Sequence, residues 1–436
     1  MTKSPEEIQR ISNDLQDIFD PKGYILMKNA TTKSFQEWKE EKKWNPFNSD
    51  KLLAQVYRWR QIERGAEIPQ PALVSVDPAN ICDLKCAWCN ADFIMGQNKN
   101  VLPKEVMLAL PKFLANWKGS PTWEKGVEAV CIGGGGESLL NRYTSNLIEG
   151  CVAEGIEVGV VTNATHMHKH IEALSKSTWV GVSLDAGTNE VYNKLKPTAR
   201  SGNQQTLDLV MTNIRTLVEY SKKNKTKLAE KGQGNGVSIK YLVYPGNVEE
   251  IYDAIKLAKE AGCTNFHARP AATPWFALGE KDKDRPSNHG VDGEIFFDEE
   301  GVALFDAQII KSRELEDENF SIFGIKHKLS GQNFSVVNDF KSCHAIFMTA
   351  VIMPSKKRGG NYFDVSLCCD RRGDEDLYLG KELTDLNQIS DLWSSKKHWE
   401  VFDKIQVNKC PRCTYKPHNQ IFEKVIQVDN LTYKFI

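Results

Sequence analysis

Two periodicities alternate along the chain. The apolar runs "ALVSVDP", "VEAVCIGG", "EVGVVTN", "WVGVSLDA", "VSIKYLVYP" and "NFHARPA" read as buried strands. Between them apolar positions recur three and four apart, which predicts helices over Lys104 to Trp117, Thr206 to Tyr220 and Val248 to Ala261. Near the start, Ser4-Pro5-Glu6-Glu7 forms a capping box with proline at the first helical position. Ile8, Ile11, Leu15 and Ile18 then share one helical face. Six strand–helix units joined by right-handed crossovers predict an α/β fold, a parallel sheet curled into a partial (β/α)6 barrel of the TIM type. In such folds the chemistry sits at the C-terminal ends of the strands.

The pattern divides the chain into four regions. Residues 1–70 are a helical lead-in and 71–271 the partial barrel. Residues 272–334, opening on the turn-rich "ATPWFALGEKDKDRPSNHGVDGEIFF", read as a linker or lid. Residues 335–436 change to a hairpin and cysteine motifs, a small α+β domain.

Composition narrows the setting. A chain of 436 residues exceeds what one core usually holds, so more than one domain is expected. Lys+Arg number 56 against 57 Asp+Glu, which leaves no basic surplus for nucleic acid or anionic lipid and favours a small-molecule partner. The opening "MTKSPEEIQRISNDL" has no apolar signal region, and no run approaches the roughly 18 apolar residues of a membrane span. The expected setting is soluble and cytoplasmic. There, 11 cysteines in clusters point to metal or redox chemistry rather than disulfides.

"ICDLKCAWCNADF" places Cys82, Cys86 and Cys89 at C-x3-C-x2-C just after the first strand. A structural zinc site closes with four ligands, whereas three thiolates leave a coordination position for something else. After the second strand comes "CIGGGGES", whose glycines let the backbone approach a ligand closely.

Together "CDLKCAWC", the "GGGE" of Gly134–Glu137 and "VSLDAG" on the fourth strand resemble the radical S-adenosylmethionine (SAM) superfamily, over about half the chain. That resemblance implies a [4Fe-4S] cluster on Cys82, Cys86 and Cys89, with SAM chelating the fourth iron. It implies that Trp88 lies near cluster and adenine, and that Gly134, Gly135, Gly136 and Glu137 hold the methionine amino group. Ser138 stands where the family usually has proline. Asn163, at the end of the third strand, and Ser183 and Asp185, on one face of the fourth, are candidate SAM contacts. Lys196 stands where related sequences carry an arginine for the SAM carboxylate, and keeps the charge without the fork. His267 and Arg269 share a face of the sixth strand and are expected at the barrel mouth.

The second cysteine set starts at Cys343. "AIFMTAVIMP", "SKKRGGN" and "YFDVSLCCD" form a hairpin that returns Cys368 and Cys369 toward it, and "NKCPRC" adds Cys410 and Cys413. Four thiolates suffice to close a cluster, or a zinc site. The order of hairpin, "LYLGKELTDLNQISDLW" and terminal C-x2-C resembles the Twitch or SPASM auxiliary domains of radical SAM enzymes. It implies one auxiliary [4Fe-4S] cluster on Cys343, Cys368, Cys410 and Cys413. Neighbouring strand residues face opposite sides, so only one of Cys368 and Cys369 is a ligand, and related sequences favour Cys368. Cys131, Cys151 and Cys263 lie in apolar patterns and read as packing.

The resemblance implies an enzyme that splits SAM to a 5′-deoxyadenosyl radical, supplied with electrons by a flavodoxin- or ferredoxin-type donor. That radical takes a hydrogen from substrate. The expected reaction is oxidation of a small hydroxylated, sugar- or cyclitol-like molecule, the auxiliary cluster accepting an electron. Epimerisation, maturation of a ribosomally made peptide, and a non-catalytic Fe–S sensor are the alternatives.

Overall fold

In this computed structural model the described residues run from 56 to 427, apart from 66–67, 88, 90, 98, 119–125, 200–205, 231–233, 272–296, 326–339 and 411–412. The helix expected over Ser4–Ile18 lies outside them, as does most of the linker.

The six expected strands are present as β1 (Leu73–Val76), β2 (Ala129–Ile132), β3 (Glu157–Thr162), β4 (Trp179–Ser183), β5 (Gly236–Val243) and β6 (Asn265–Pro270). They pair in parallel, each with the next. Alternate side chains give the sheet two unlike faces. Val74, Val76, Val130, Ile132, Val158, Val160, Val180, Val182, Val237 and Ile239 are all buried on the convex face. Each such side chain contributes about 1.5–3 kcal/mol when fully removed from water.

Helices Lys104–Asn116, Thr144–Ala153, Leu207–Asn224 and Ile251–Glu260 supply the covering layer. The first turns Val106, Met107, Leu110 and Leu114 inward at helical spacing. The third begins where Thr206 accepts a hydrogen bond from the Leu209 amide and stops at Lys225, whose φ of 51° is left-handed. The result is a partial TIM-type barrel.

Two features extend it. A seventh parallel strand, β7 (Ser321–Gly324), pairs with β6 after the helix Glu299–Ser312, which Asp298 caps through the Gly301 amide. Both lie inside the stretch read as linker, so 297–325 is part of the sheet and its helical layer. The C-terminal hairpin β8 (Thr349–Pro354) and β9 (Phe363–Ser366), with β10 (Tyr378–Leu383), does not form a sheet of its own. β8 pairs in parallel with β1, Ser75 opposite Val351, giving one ten-stranded sheet in the order β10-β9-β8-β1-β2-β3-β4-β5-β6-β7. The second cysteine set is thereby fastened to the first strand of the barrel. Among the described residues no helix is long and apolar enough to cross a membrane.

Candidate functional site

The loop after β1 and the loop after β2 are built against each other. The Glu137 amide donates to the Ile81 carbonyl at 2.8 Å. A Cβ at Gly136 would sit 2.4 Å from that same oxygen, so only glycine lets the two backbones meet. At Gly134, φ is +138°, and a side chain there would strike the Arg372 guanidinium at 2.3 Å.

Glu137 ties this loop to the tip of β3. Its carboxylate accepts from the Leu139 amide (3.0 Å), the Thr162 hydroxyl (2.6 Å) and the Asn163 amide (2.7 Å). Burial nevertheless dominates and raises its pKa from 4.5 to about 7, against the pull of those donors. Both oxygens are thus engaged in holding the strand tips together. Asn163 continues the chain of contacts, donating from Nδ2 to Asp83 at 2.8 Å, beside Cys82. Thr165 holds the other oxygen of Asp83 at 2.7 Å.

Asp185 and Lys196 form a buried ion pair at 2.9 Å, with side chains 3% and 1% exposed. Lys196 also donates to the Ser183 carbonyl, and Asp185 accepts from the Leu242 amide at 2.7 Å. Burial opposes the charge on Lys196, but Asp185 and Cys86 outweigh it and its pKa lies above the usual value. The lysine foreseen as a SAM contact therefore stands beside Cys86, fixed by Asp185, whose own backbone is left-handed at φ 62°.

Cys82, Cys86 and Cys89 all lie in the loop after β1. Burial pushes the Cys86 thiol up to about 11 and Cys82 higher still. Such thiols stay protonated at neutral pH unless a metal takes the proton's place. Three cysteines in a half-buried loop at strand ends, with a fixed cation beside one of them, are a donor set that fits a [4Fe-4S] cluster. Trp88 lies outside the described residues.

The concave face carries the polar interior. Cys131 was expected to be core packing, and Cys151 and Cys263 are indeed buried. Cys131 instead faces the hollow, because on β2 it has the parity of Gly133, opposite that of Val130 and Ile132. Burial raises its thiol to about 11, while Arg372 and Lys240 pull it down. Lys240 on β5 stands 3.1 Å from His267 Nδ1 and 5.5 Å from the ring of Trp179. His267 and Arg269, two residues apart on β6, share this face as expected.

Four of the C-terminal cysteines lie together. Cys343, Cys368, Cys410 and Cys413 line one cavity, with Phe340 and Tyr415. Cys369 does not line it. Its sulfur lies 3.7 Å from the Tyr415 hydroxyl, and it packs beside Val351, Met353 and Tyr378. The sulfurs that line the cavity receive donors: Asn419 Nδ2 reaches Cys343 at 3.6 Å and Arg371 Nη1 reaches Cys410 at 3.5 Å. Such contacts suit thiolates on a cluster. Among the described residues no three His, Cys, Asp or Glu side chains form a ready cage for a single metal ion.

One residue that the sequence reading missed joins the two halves. Arg372 places a two-pronged contact on Asp77 at the end of β1, Nε at 2.7 Å and Nη2 at 3.2 Å. It also donates to the carbonyls of Gly133 (3.3 Å) and Cys369. Burial works against its charge, but Asp77 and Cys369 together, with Cys131, offset this and hold its pKa above the ordinary value. Nothing local in "CCDRRGDED" marks it, since its partner lies 295 residues away.

Comparison with known proteins agrees with this geometry. A model of the radical SAM superfamily matches residues 76–229, from the end of β1 to just before β5. No curated protein matches the chain in sequence. Among solved structures, Streptococcus suis SuiB bound to S-adenosylmethionine superposes with a TM-score of 0.55 at 14% identity, over 91% of this chain and 87% of that one. SuiB bound to the precursor peptide SuiA gives 0.53 at 15% identity, over 90% and 85%. The histidine-tagged protein anSMEcpe with bound AdoMet gives 0.51 at 16% identity, over 80% and 88%. At these identities the likeness is one of fold. The family match falls on the strands and loops that assemble Cys82, Cys86, Cys89 and Gly134–Glu137, and the chain therefore carries a radical SAM domain.

Proposed function

We propose that this protein is a radical SAM oxidoreductase that dehydrogenates a small hydroxylated substrate, sugar- or cyclitol-like, held against the concave face of the sheet. Cys343, Cys368, Cys410 and Cys413 would hold an auxiliary [4Fe-4S] cluster, which would supply an acceptor for the second electron, and a flavodoxin- or ferredoxin-type donor would supply the first. The observation that carries this reading is the set of four cysteines around one cavity, joined to the barrel through Arg372. A fully thiolate-ligated cluster leaves no position for substrate, and exchanging electrons is what remains to it.

Cys82, Cys86 and Cys89 would hold the first cluster, and the Gly134–Glu137 loop with the Lys196–Asp185 pair would bound SAM. When bound, the cluster and SAM supply one-electron chemistry that removes an unactivated hydrogen atom. The chain's own part is placement and exclusion. Glu137 locks the glycine loop to β3, and Lys196 presents a fixed positive charge beside Cys86. The Lys240–His267 pair supplies a proton-accepting group on the concave face, where an oxidised hydroxyl must shed its proton.

Epimerisation is the second reading, favoured by Cys131. A thiol kept protonated on the concave face has the form needed to return a hydrogen atom to a substrate radical. The two readings separate by mass. Oxidation yields a product two mass units lighter with one SAM consumed per turnover, whereas a mass-neutral product that gains one solvent deuterium, and is lost in Cys131→Ala, establishes epimerisation.

A further inference from the structure

Arg371 and Arg372 follow Cys368-Cys369-Asp370 directly and turn to opposite sites. Arg372 reaches the glycine loop, as described. Arg371 turns back to the four-cysteine cavity, which it lines, and its Nη1 donates to Cys410 Sγ at 3.5 Å. Arg371 is only 8% exposed, and its other prong is held by Asp374. Asp374 is itself fixed, accepting the Asp376 amide at 3.1 Å with its second oxygen. The guanidinium therefore cannot swing freely, and one edge is committed to sulfur.

We propose that Arg371 sets the electron affinity of the four-cysteine site through its contact with Cys410, making that site a better acceptor. This rests on the reading of Cys343, Cys368, Cys410 and Cys413 as ligands of an auxiliary cluster. A charged N–H donor on a thiolate sulfur withdraws electron density, and it stabilises the reduced cluster, which carries one more negative charge, more than the oxidised one. The reduction potential rises. Asp374 acts with the opposite sign, because its carboxylate offsets the guanidinium charge from the far side. Asn419 gives Cys343 a neutral donor, so the charged one on Cys410 is the stronger of these two contacts. An acceptor tuned upward is what a dehydrogenation needs, since the substrate radical must surrender its electron to it.

The test is a redox titration of the full reconstituted chain, followed by electron paramagnetic resonance. Arg371→Gln should shift the auxiliary signal to lower potential, and Arg371→Lys, which keeps the charge without the fork, should fall between it and the parent. Asp374→Asn, which retains an acceptor for the Asp376 amide, should shift it to higher potential. The SAM-binding cluster should stay unmoved in all three. A merely structural Arg371–Asp374 pair would not give opposite shifts from its two members. An Arg371→Gln potential equal to or above the parent's, in protein holding about eight irons, overturns the inference while leaving the auxiliary cluster in place. Parent protein that binds only about four irons removes the auxiliary cluster, and the inference falls with it.

Discussion

Replacing Arg372 by methionine leaves Asp77, which is fully buried, with the Gly135 amide as its one remaining described donor. The guanidinium contacts at 2.7 and 3.2 Å are lost together. Removing one member of a buried pair costs about 3–5 kcal/mol, because the desolvated partner stays behind. The surviving amide bond places this site near the lower figure, about 3 kcal/mol. For a chain this long that corresponds to a fall in Tm of about 3 °C. Burial makes the abandoned carboxyl easier to protonate, so the loss should be smaller at pH 5 than at pH 8. Urea unfolding of the cofactor-free protein at the two pH values measures this directly. Adding Asp77→Asn removes the stranded charge, and the double variant should be more stable than the sum of the single losses predicts, by about 2 kcal/mol. Strict additivity, or a single-variant loss below about 1 kcal/mol, would refute the argument that Arg372 and Asp77 act as one buried unit.

Three further outcomes are expected. Glu137 has a folded pKa raised from 4.5 to about 7, so the folded state holds its proton where the unfolded chain has released it. Stability of the cofactor-free protein should therefore fall between about pH 4.5 and 7, by about 3 kcal/mol, and Glu137→Gln should flatten that slope in urea melts. Cys368→Ala should lose the iron of the second site while Cys369→Ala keeps it, as read by iron analysis; the reverse would place the ligand on the wrong residue. Lys196→Met leaves Asp185 buried without its cation and should cost about 3–5 kcal/mol, together with weakened SAM binding measured by equilibrium dialysis.

What could be read from the residues alone was whatever is encoded locally. Six strands followed from apolar runs, and the helix over 104–116 from its period, because each signal lies within one element. Ser321–Gly324 escaped because four residues carry too short an alternation to stand out beside a turn-rich stretch. Cys131 was misjudged by context: its apolar neighbours suggested burial, yet the two-residue period that seats Val130 and Ile132 in the core turns Cys131 to the hollow. The cysteine spacing grouped both sets, and alternation said that only one of Cys368 and Cys369 faces Cys343, the resemblance favouring Cys368; it is Cys368 that lines the cavity. Lys196 was picked out as a cation, but its Asp185 partner needed the strand and helix to be brought together. Arg372 was invisible, since the fold alone brings residue 372 to residue 77.

The most direct test of the central claim is SAM cleavage. Anaerobically reconstituted and reduced protein is predicted to convert SAM to methionine and 5′-deoxyadenosine, quantified by chromatography. The variant with Cys82, Cys86 and Cys89 all replaced by alanine should produce none while retaining about half the iron. Equal 5′-deoxyadenosine from parent and triple variant, or none from a parent fully loaded with iron, would contradict the account.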